Sequence, residues 1–278
     1  MKNQFFALLA CSVVIFMCAC SSSQYVVSPL NTISNPYIPL PAKGKTDENK
    51  TERFVGISIS PGISGSENSD ADVVNAATLR LVQSHALGAF RIGYGGNLML
   101  GGVSVGESWD DTEPGGVYRN LHRGGQFFGA AGLNTKMSFV AQGANSHTEW
   151  RFLGLEGAAH YEFGDYMNFR KDFPPGTNYY VNRDYWTFTA GIFSEFVVRK
   201  KNDKQFGFKF GLSLQTIPSL FYLSNRYDDN DFESDPPAIP HYFNFAFFFG
   251  QRKARMFFQP NIGTATFNMQ MGFLYQLP

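Results

Sequence analysis

The sequence predicts an all-β chain folded as an antiparallel, up-and-down transmembrane β-barrel of about ten strands (8 to 12). Three observations predict it. Apolar and polar residues alternate with period two along most of the chain, and helical periodicity is almost absent. The alternating segments run to about ten residues or more, enough for a tilted membrane crossing, with aromatic residues at the ends of their apolar faces. The connections between them alternate in length, long then short, which a soluble sandwich has no reason to do.

Taken in order, strands are expected at Phe54–Ile63, Ala86–Tyr94, Leu98–Glu107, Gln126–Gln142, Glu149–Phe163, Tyr185–Val198, Gln205–Gln215, His241–Phe249, Arg255–Asn261 and Thr266–Gln276. The clearest is Gln205–Gln215, where Phe206, Phe208, Phe210, Leu212 and Leu214 oppose Gln205, Gly207, Lys209, Gly211, Ser213 and Gln215. In Glu149–Phe163, Leu153, Leu155, Gly157, Ala159, Tyr161 and Phe163 oppose Gly154, Glu156, Ala158, His160 and Glu162. Gln126–Gln142 keeps Phe127, Ala131, Leu133, Met137, Phe139 and Ala141 on one face; a turn at Asn134-Thr135 would change the strand count. Short turns are expected at Gly95–Asn97, Gly143–His147, Arg199–Lys204 and Gly250–Lys253, with the longer connections at the other end except for a short last one near Gly263. An even strand count puts both barrel ends on the short-turn side.

Composition agrees. Aromatics make up 16% of the chain, with 29 Phe beside 28 Gly, a mixture suited to strands with close backbone approach. The 23 basic and 23 acidic residues balance, so no nucleic-acid partner is implied.

The first residues stand apart. Lys2, an apolar run from Phe5 to Met17 interrupted by Ser12, and then Cys18-Ala19-Cys20 form a charged start, a short apolar core and a small residue before a cysteine. This resembles the signal peptides of bacterial lipoproteins. The resemblance implies a signal over residues 1–19, a covalent lipid (palmitate) on Cys20 as the mature N-terminus, lipid-anchored residence in the outer membrane, and lipoprotein-sorting and barrel-assembly machinery as partners. The 3 cysteines all lie in this leader, so an acylated mature chain has no thiol for disulfides, Cys-ligated metals or nucleophilic catalysis. Residues 20–52, with prolines at 29, 36, 39 and 41, read as a flexible tether, leaving 53–278 for the barrel. The last segment, Phe267, Met269, Met271, Phe273 and Tyr275 alternating with polar residues and Gly272, resembles the aromatic closing strand of bacterial outer-membrane barrels, but ends Gln276-Leu277-Pro278.

Four groups carry chemistry. Arg91, Lys136, Glu156, His160, Glu162, Glu195 and Lys209 project to the polar face, where the expectation is a lumen ion network, since buried charges must be paired. The alternative is acid–base or metal chemistry by Glu156, His160 and Glu162. Asp228, Asp229, Asp231 and Glu233, with Asp235, crowd one late connection and are weak candidates for a hard cation; a solvated acidic loop is the default. Ser66 to Asp72 is a weaker case of the same kind. Gly102-Val103-Ser104-Val105-Gly106 matches the G-x-S-x-G pattern of esterases but lies in an alternating strand, without the strand-turn-helix elbow that the chemistry needs. His85, His122, His147 and His241 show no partner in the sequence. The functional expectation is a barrel with a structural, pore or surface-binding role, its ligand unknown and no cofactor implied. A soluble all-β lipoprotein that binds a partner, and a membrane-embedded hydrolase, are the alternatives.

Overall fold

The computed structural model describes residues 24–26, 28–33, 35–41, 49–64, 72–105, 124–142, 147–172, 179–200, 204–216, 241–251, 253–263 and 266–278. Ten strands close into one antiparallel barrel in chain order: β2 (Asn49–Ser64), β3 (Asp72–Leu87), β4 (Phe90–Val105), β5 (Gly124–Gln142), β6 (Thr148–Phe163), β8 (Trp186–Arg199), β9 (Lys204–Thr216), β10 (His241–Gln251), β11 (Ala254–Gly263) and β12 (Thr266–Gln276). The seam is the β12·β2 pairing, from Thr266↔Ser64 to Gln276↔Phe54. Four further elements are not wall strands: β1 (Gln24–Val26), β7 (Tyr179–Val181) and the helices α1 (Leu30–Ile33) and α2 (Asp165–Asp172). No helix among the described residues is long and apolar enough to cross a membrane.

Burial follows the period-two pattern with its sense inverted relative to a soluble protein. Along β9, Phe206, Phe208, Phe210 and Leu214 are exposed while Gly207, Lys209, Gly211, Ser213 and Gln215 are buried. The same inversion runs round the barrel, with Ile57, Leu79, Leu81, Leu133, Leu155, Ile192, Phe247 and Met256 all outward and exposed. A continuous apolar exterior over a polar interior is stable when lipid, not water, surrounds the wall. Tyr161 stacks on Tyr185 and packs edge-on to Trp186 at one rim, while Phe90 with Phe139 and Trp150 with Phe152 lie at the other. Rims of this kind suit the two membrane–water interfaces.

The connections sort by end. Residues 88–89, 143–147, 200–203 and 252–253 form one end; 65–71, 106–123, 164–185, 217–240 and 264–265 form the other, hereafter the long-loop end.

Two expectations fail in the wall. The segments Ala86–Tyr94 and Leu98–Glu107, with a turn at Gly95–Asn97, are instead the last two residues of β3 and one continuous β4 that runs to Val105, joined at Gly88-Ala89. Gly88 takes φ 58°, the left-handed backbone that a tight hairpin needs. Gly95 sits inside β4 because a Cβ there would collide with the Leu81 carbonyl of the neighbouring strand. Missing β3 and splitting β4 cancel in the count, so ten survives. The other failure is local: the β6–β8 register shifts between Arg151 and Gly154, which leaves Phe152 and Leu153 both exposed and turns Arg151 inward. A β-bulge reverses facing in this way.

The tether reading is overturned over most of its described length. Asn49 to Glu52 belong to β2, and from Ser28 to Pro41 every side chain that is described is buried. The physical reason lies in the residues: from Ser21 to Ala42 none is charged, and the prolines lack the N–H that a buried, strand-free segment would leave unpaired.

Candidate functional site: a filled lumen

An eight-stranded barrel is just wide enough for side chains to fill, and ten strands add the width for a chain. Here the chain's own N-terminal segment occupies that space. It enters at the long-loop end, where β1 pairs in parallel with β7 of the 164–185 connection, Gln24↔Tyr179 to Val26↔Val181. Ser28 Oγ then donates to Glu162 Oε1 (2.6 Å) at the far end of β6 and accepts from the Leu30 amide (3.0 Å), opening the single turn α1. Further in, Gln270 and Gln259 donate to the carbonyls of Ile33 (3.3 Å) and Asn35 (2.9 Å).

The segment is gripped by its carbonyls. Arg80 donates to Tyr37 O (3.1 Å), Lys136 to Ile38 O (3.4 Å), Arg151 to Leu40 O and Pro41 O (3.2 Å each), and Arg91 to Pro41 O (3.0 Å). Arg91 and Arg151 stand near the short-turn end, so residues 28–41 run from one end of the barrel to the other. Tyr37 is the largest anchor: its ring stacks on Phe248 (4.9 Å) and tilts against Phe257 (5.5 Å), and its hydroxyl donates to Glu195 (3.4 Å). Ile38 and Leu40 lie against Gly93, where a Cβ would stand 2.9 Å from both side chains.

All seven residues expected in the lumen network are buried, but the structure divides them. Toward the short-turn end, Lys136 and Arg151 share Glu195 Oε2 (3.0 and 2.8 Å), and Arg151 (3.1 Å) and Arg91 pair with Glu149. At mid-barrel, Lys209 pairs with Glu156, which also accepts from Ser213 (3.1 Å) and Asn244 (3.3 Å). At the long-loop end, Glu162 accepts from Arg170, Thr187 (2.8 Å) and Ser28. His160 joins none of these: its Nε2 lies 3.2 Å from Asn97 Oδ1, and Nδ1 has no hydrogen-bond partner among the described residues. Glu156, His160 and Glu162 share a face but not a cluster, and both carboxylates are taken by cations and hydroxyls.

Sequence reasoning missed Arg80, Glu149, Arg151, Arg170 and the pair Arg255–Glu52 (2.6 Å). Arg80 fell in the unrecognised β3, Arg151 behind the bulge, and Arg170 on α2, where period-two reasoning does not apply. The sequence signal for the filling segment was its lack of charge, since solvated tethers are normally charged. At the mouth, α2 buries Tyr166, Met167, Phe169 and Arg170, and Tyr166 and Phe169 pack in one cluster with Val103, Val105, Phe128 and Ala130. Burial, reinforced by the nearby Asp72 carboxylate, raises the Tyr166 hydroxyl's pKa.

Other candidates resolve simply. Ser104 is an exposed residue inside β4, which continues as strand to Val105. His85 lies on the outward face, 2.9 Å from Thr51 Oγ1 and 3.2 Å from the Tyr94 hydroxyl. Of Ser66 to Asp72 only Asp72 is described, and it is buried. Cys20, His122 and the acidic group Asp228, Asp229, Asp231 and Glu233 lie outside the described residues. Among the described residues, no three His, Cys, Asp or Glu are placed to hold a metal ion.

No protein-family model matches the chain. No curated protein matches it either. Solved structures do resemble it as barrels. An outer membrane channel from Pseudomonas putida F1 aligns at 10% identity and TM-score 0.41, covering 84% of this chain and 100% of that one. The β domain of the Bordetella autotransporter BrkA aligns at 8% identity and TM-score 0.46, covering 82% and 99%. The KdgM porin in complex with disordered oligogalacturonate aligns at 9% identity and TM-score 0.33, covering 81% and 99%. Likenesses at this level carry nothing about activity, so the class rests on the closed ten-stranded wall, its apolar exterior and its ionic interior.

Proposed function

We propose that this chain is an outer-membrane lipoprotein, acylated at Cys20, whose barrel is a closed platform that holds its long connections at the membrane surface for structural or binding roles. One observation carries the reading: the uncharged segment Ser28–Pro41 fills the lumen from end to end, its carbonyls held by four strand-borne cations. A conducting pore needs that path open. Barrel-assembly and lipoprotein-sorting machinery are the partners that such a protein requires, and its surface ligand would meet the long-loop end.

Conductance in a planar bilayer tests the reading. The intact protein gives no steady channels, whereas deletion of residues 28–41 opens the barrel with anion preference. Near the short-turn half, Arg80, Arg91, Lys136, Arg151 and Arg255 then face Glu52, Glu149 and Glu195 across an open lumen. Steady channels from the intact protein would overturn the closed-platform reading. Identical gel mobility before and after boiling would overturn the barrel, and failure of Cys20→Ser to abolish palmitate labelling would overturn the acylation.

A further inference from the structure

The filling segment has a direction. The first barrel strand, β2, begins at Asn49 on the short-turn end, so a simple tether would put the N-terminus on that side. The residues ahead of it do the opposite. Pro41 meets Arg91 and Arg151 near the short-turn end, Asn35 meets Gln259 at mid-barrel, and Ser28 meets Glu162 at the long-loop end. Gln24–Val26 then pairs with Tyr179–Val181, part of the connection between β6 and β8 at that end. From Pro41 back to Gln24, the described chain therefore runs the length of its own barrel.

We infer that the mature N-terminus emerges on the long-loop face, so that a lipid on Cys20 anchors in the leaflet on that side, across the membrane from the short turns. This rests on the barrel and acylation readings above. The reach is short: the four residue steps from Cys20 to Gln24 span at most roughly 14 Å even when fully extended. An acyl chain on Cys20 therefore cannot return around the wall to the opposite leaflet. In an outer membrane with short turns facing inward, the anchor lies in the cell-surface leaflet. The barrel is then the route by which its own lipidated end reaches the surface.

The mature chain, with no other thiol, makes the test direct. Single-cysteine variants Gln24→Cys, Asp172→Cys (long-loop end) and Lys253→Cys (short-turn end) are labelled in intact cells with a membrane-impermeant maleimide. Gln24→Cys should label as Asp172→Cys does, and Lys253→Cys only after the outer membrane is permeabilised. Labelling of Gln24→Cys in step with Lys253→Cys overturns the threading while the barrel stands. No difference between Asp172→Cys and Lys253→Cys overturns both. A membrane-independent arm uses Val26→Cys/Val181→Cys in detergent-extracted protein. The register pair should form an intramolecular disulfide on mild oxidation, and its absence overturns the threading even if the label results agree.

Discussion

Glu195→Gln tests how much of the fold depends on the lumen charges. Glu195 is 1% exposed, and its carboxylate accepts from Lys136, Arg151 and the Tyr37 hydroxyl. The substitution keeps the shape, removes the negative charge and turns an amide donor toward two cations. Arg151 retains Glu149 and the carbonyls of Leu40 and Pro41. Among the described residues, Lys136 keeps the Ile38 carbonyl and the faces of Phe193 (4.4 Å) and Tyr37 (5.0 Å), while the next carboxylate, its cross-strand neighbour Glu156, is already paired with Lys209. A buried ammonium left without its counter-charge costs about 3–5 kcal/mol. Urea unfolding from lipid vesicles, followed by tryptophan fluorescence and gel mobility, should show that loss. The double variant Lys136→Met/Glu195→Leu removes both charges together, and should be less destabilised than Glu195→Gln, because an apolar pair of similar size requires no counter-charge. A Glu195→Gln protein within about 0.5 kcal/mol of wild type, the range of an ordinary surface substitution, would refute the reasoning. So would a double variant as unstable as the single one.

Leu79→Arg, at the outward middle of β3, should cost about 2–4 kcal/mol in the same assay because the exposed side chain meets hydrocarbon; a water-facing site would tolerate it. Gly95→Val should destabilise by about 1–3 kcal/mol because its Cβ meets the β3 backbone, and a near-neutral result would mean that 95–97 is a turn after all. Tyr166 gives a pH signature. Its raised pKa means that the folded chain keeps a proton which the unfolded chain releases above about pH 10, so its contribution is complete below that pH and is lost as pH rises. The drop in unfolding midpoint between pH 9 and pH 11 should shrink in Tyr166→Phe, and an unchanged drop would assign the alkaline sensitivity elsewhere.

The strand wall was legible because its signal is local. In β9 the alternation of Phe206, Phe208 and Phe210 with Gly207 and Lys209 reports facing, register and exterior within one short segment. The charged lumen residues were legible for the same reason, since a Lys or Glu on the small, polar face of an apolar strand can only point inward. β3 escaped because its inward face mixes Val74, Ala76, Thr78, Arg80 and Val82, which blurs the contrast on which alternation depends. Arg151 escaped because one bulge reverses facing without changing composition.

The sequence by itself determined an all-β barrel of about ten strands, apolar outside and charged within, because strand periodicity is a property of neighbouring residues. Only the tertiary structure decided what occupies the interior. The missing charge of a proline-rich segment hints at filling, but whether it fills depends on whether distant side chains supply donors for its carbonyls. Arg80, Arg91, Lys136 and Arg151 do so from four different strands, brought to one axis only when the barrel closes.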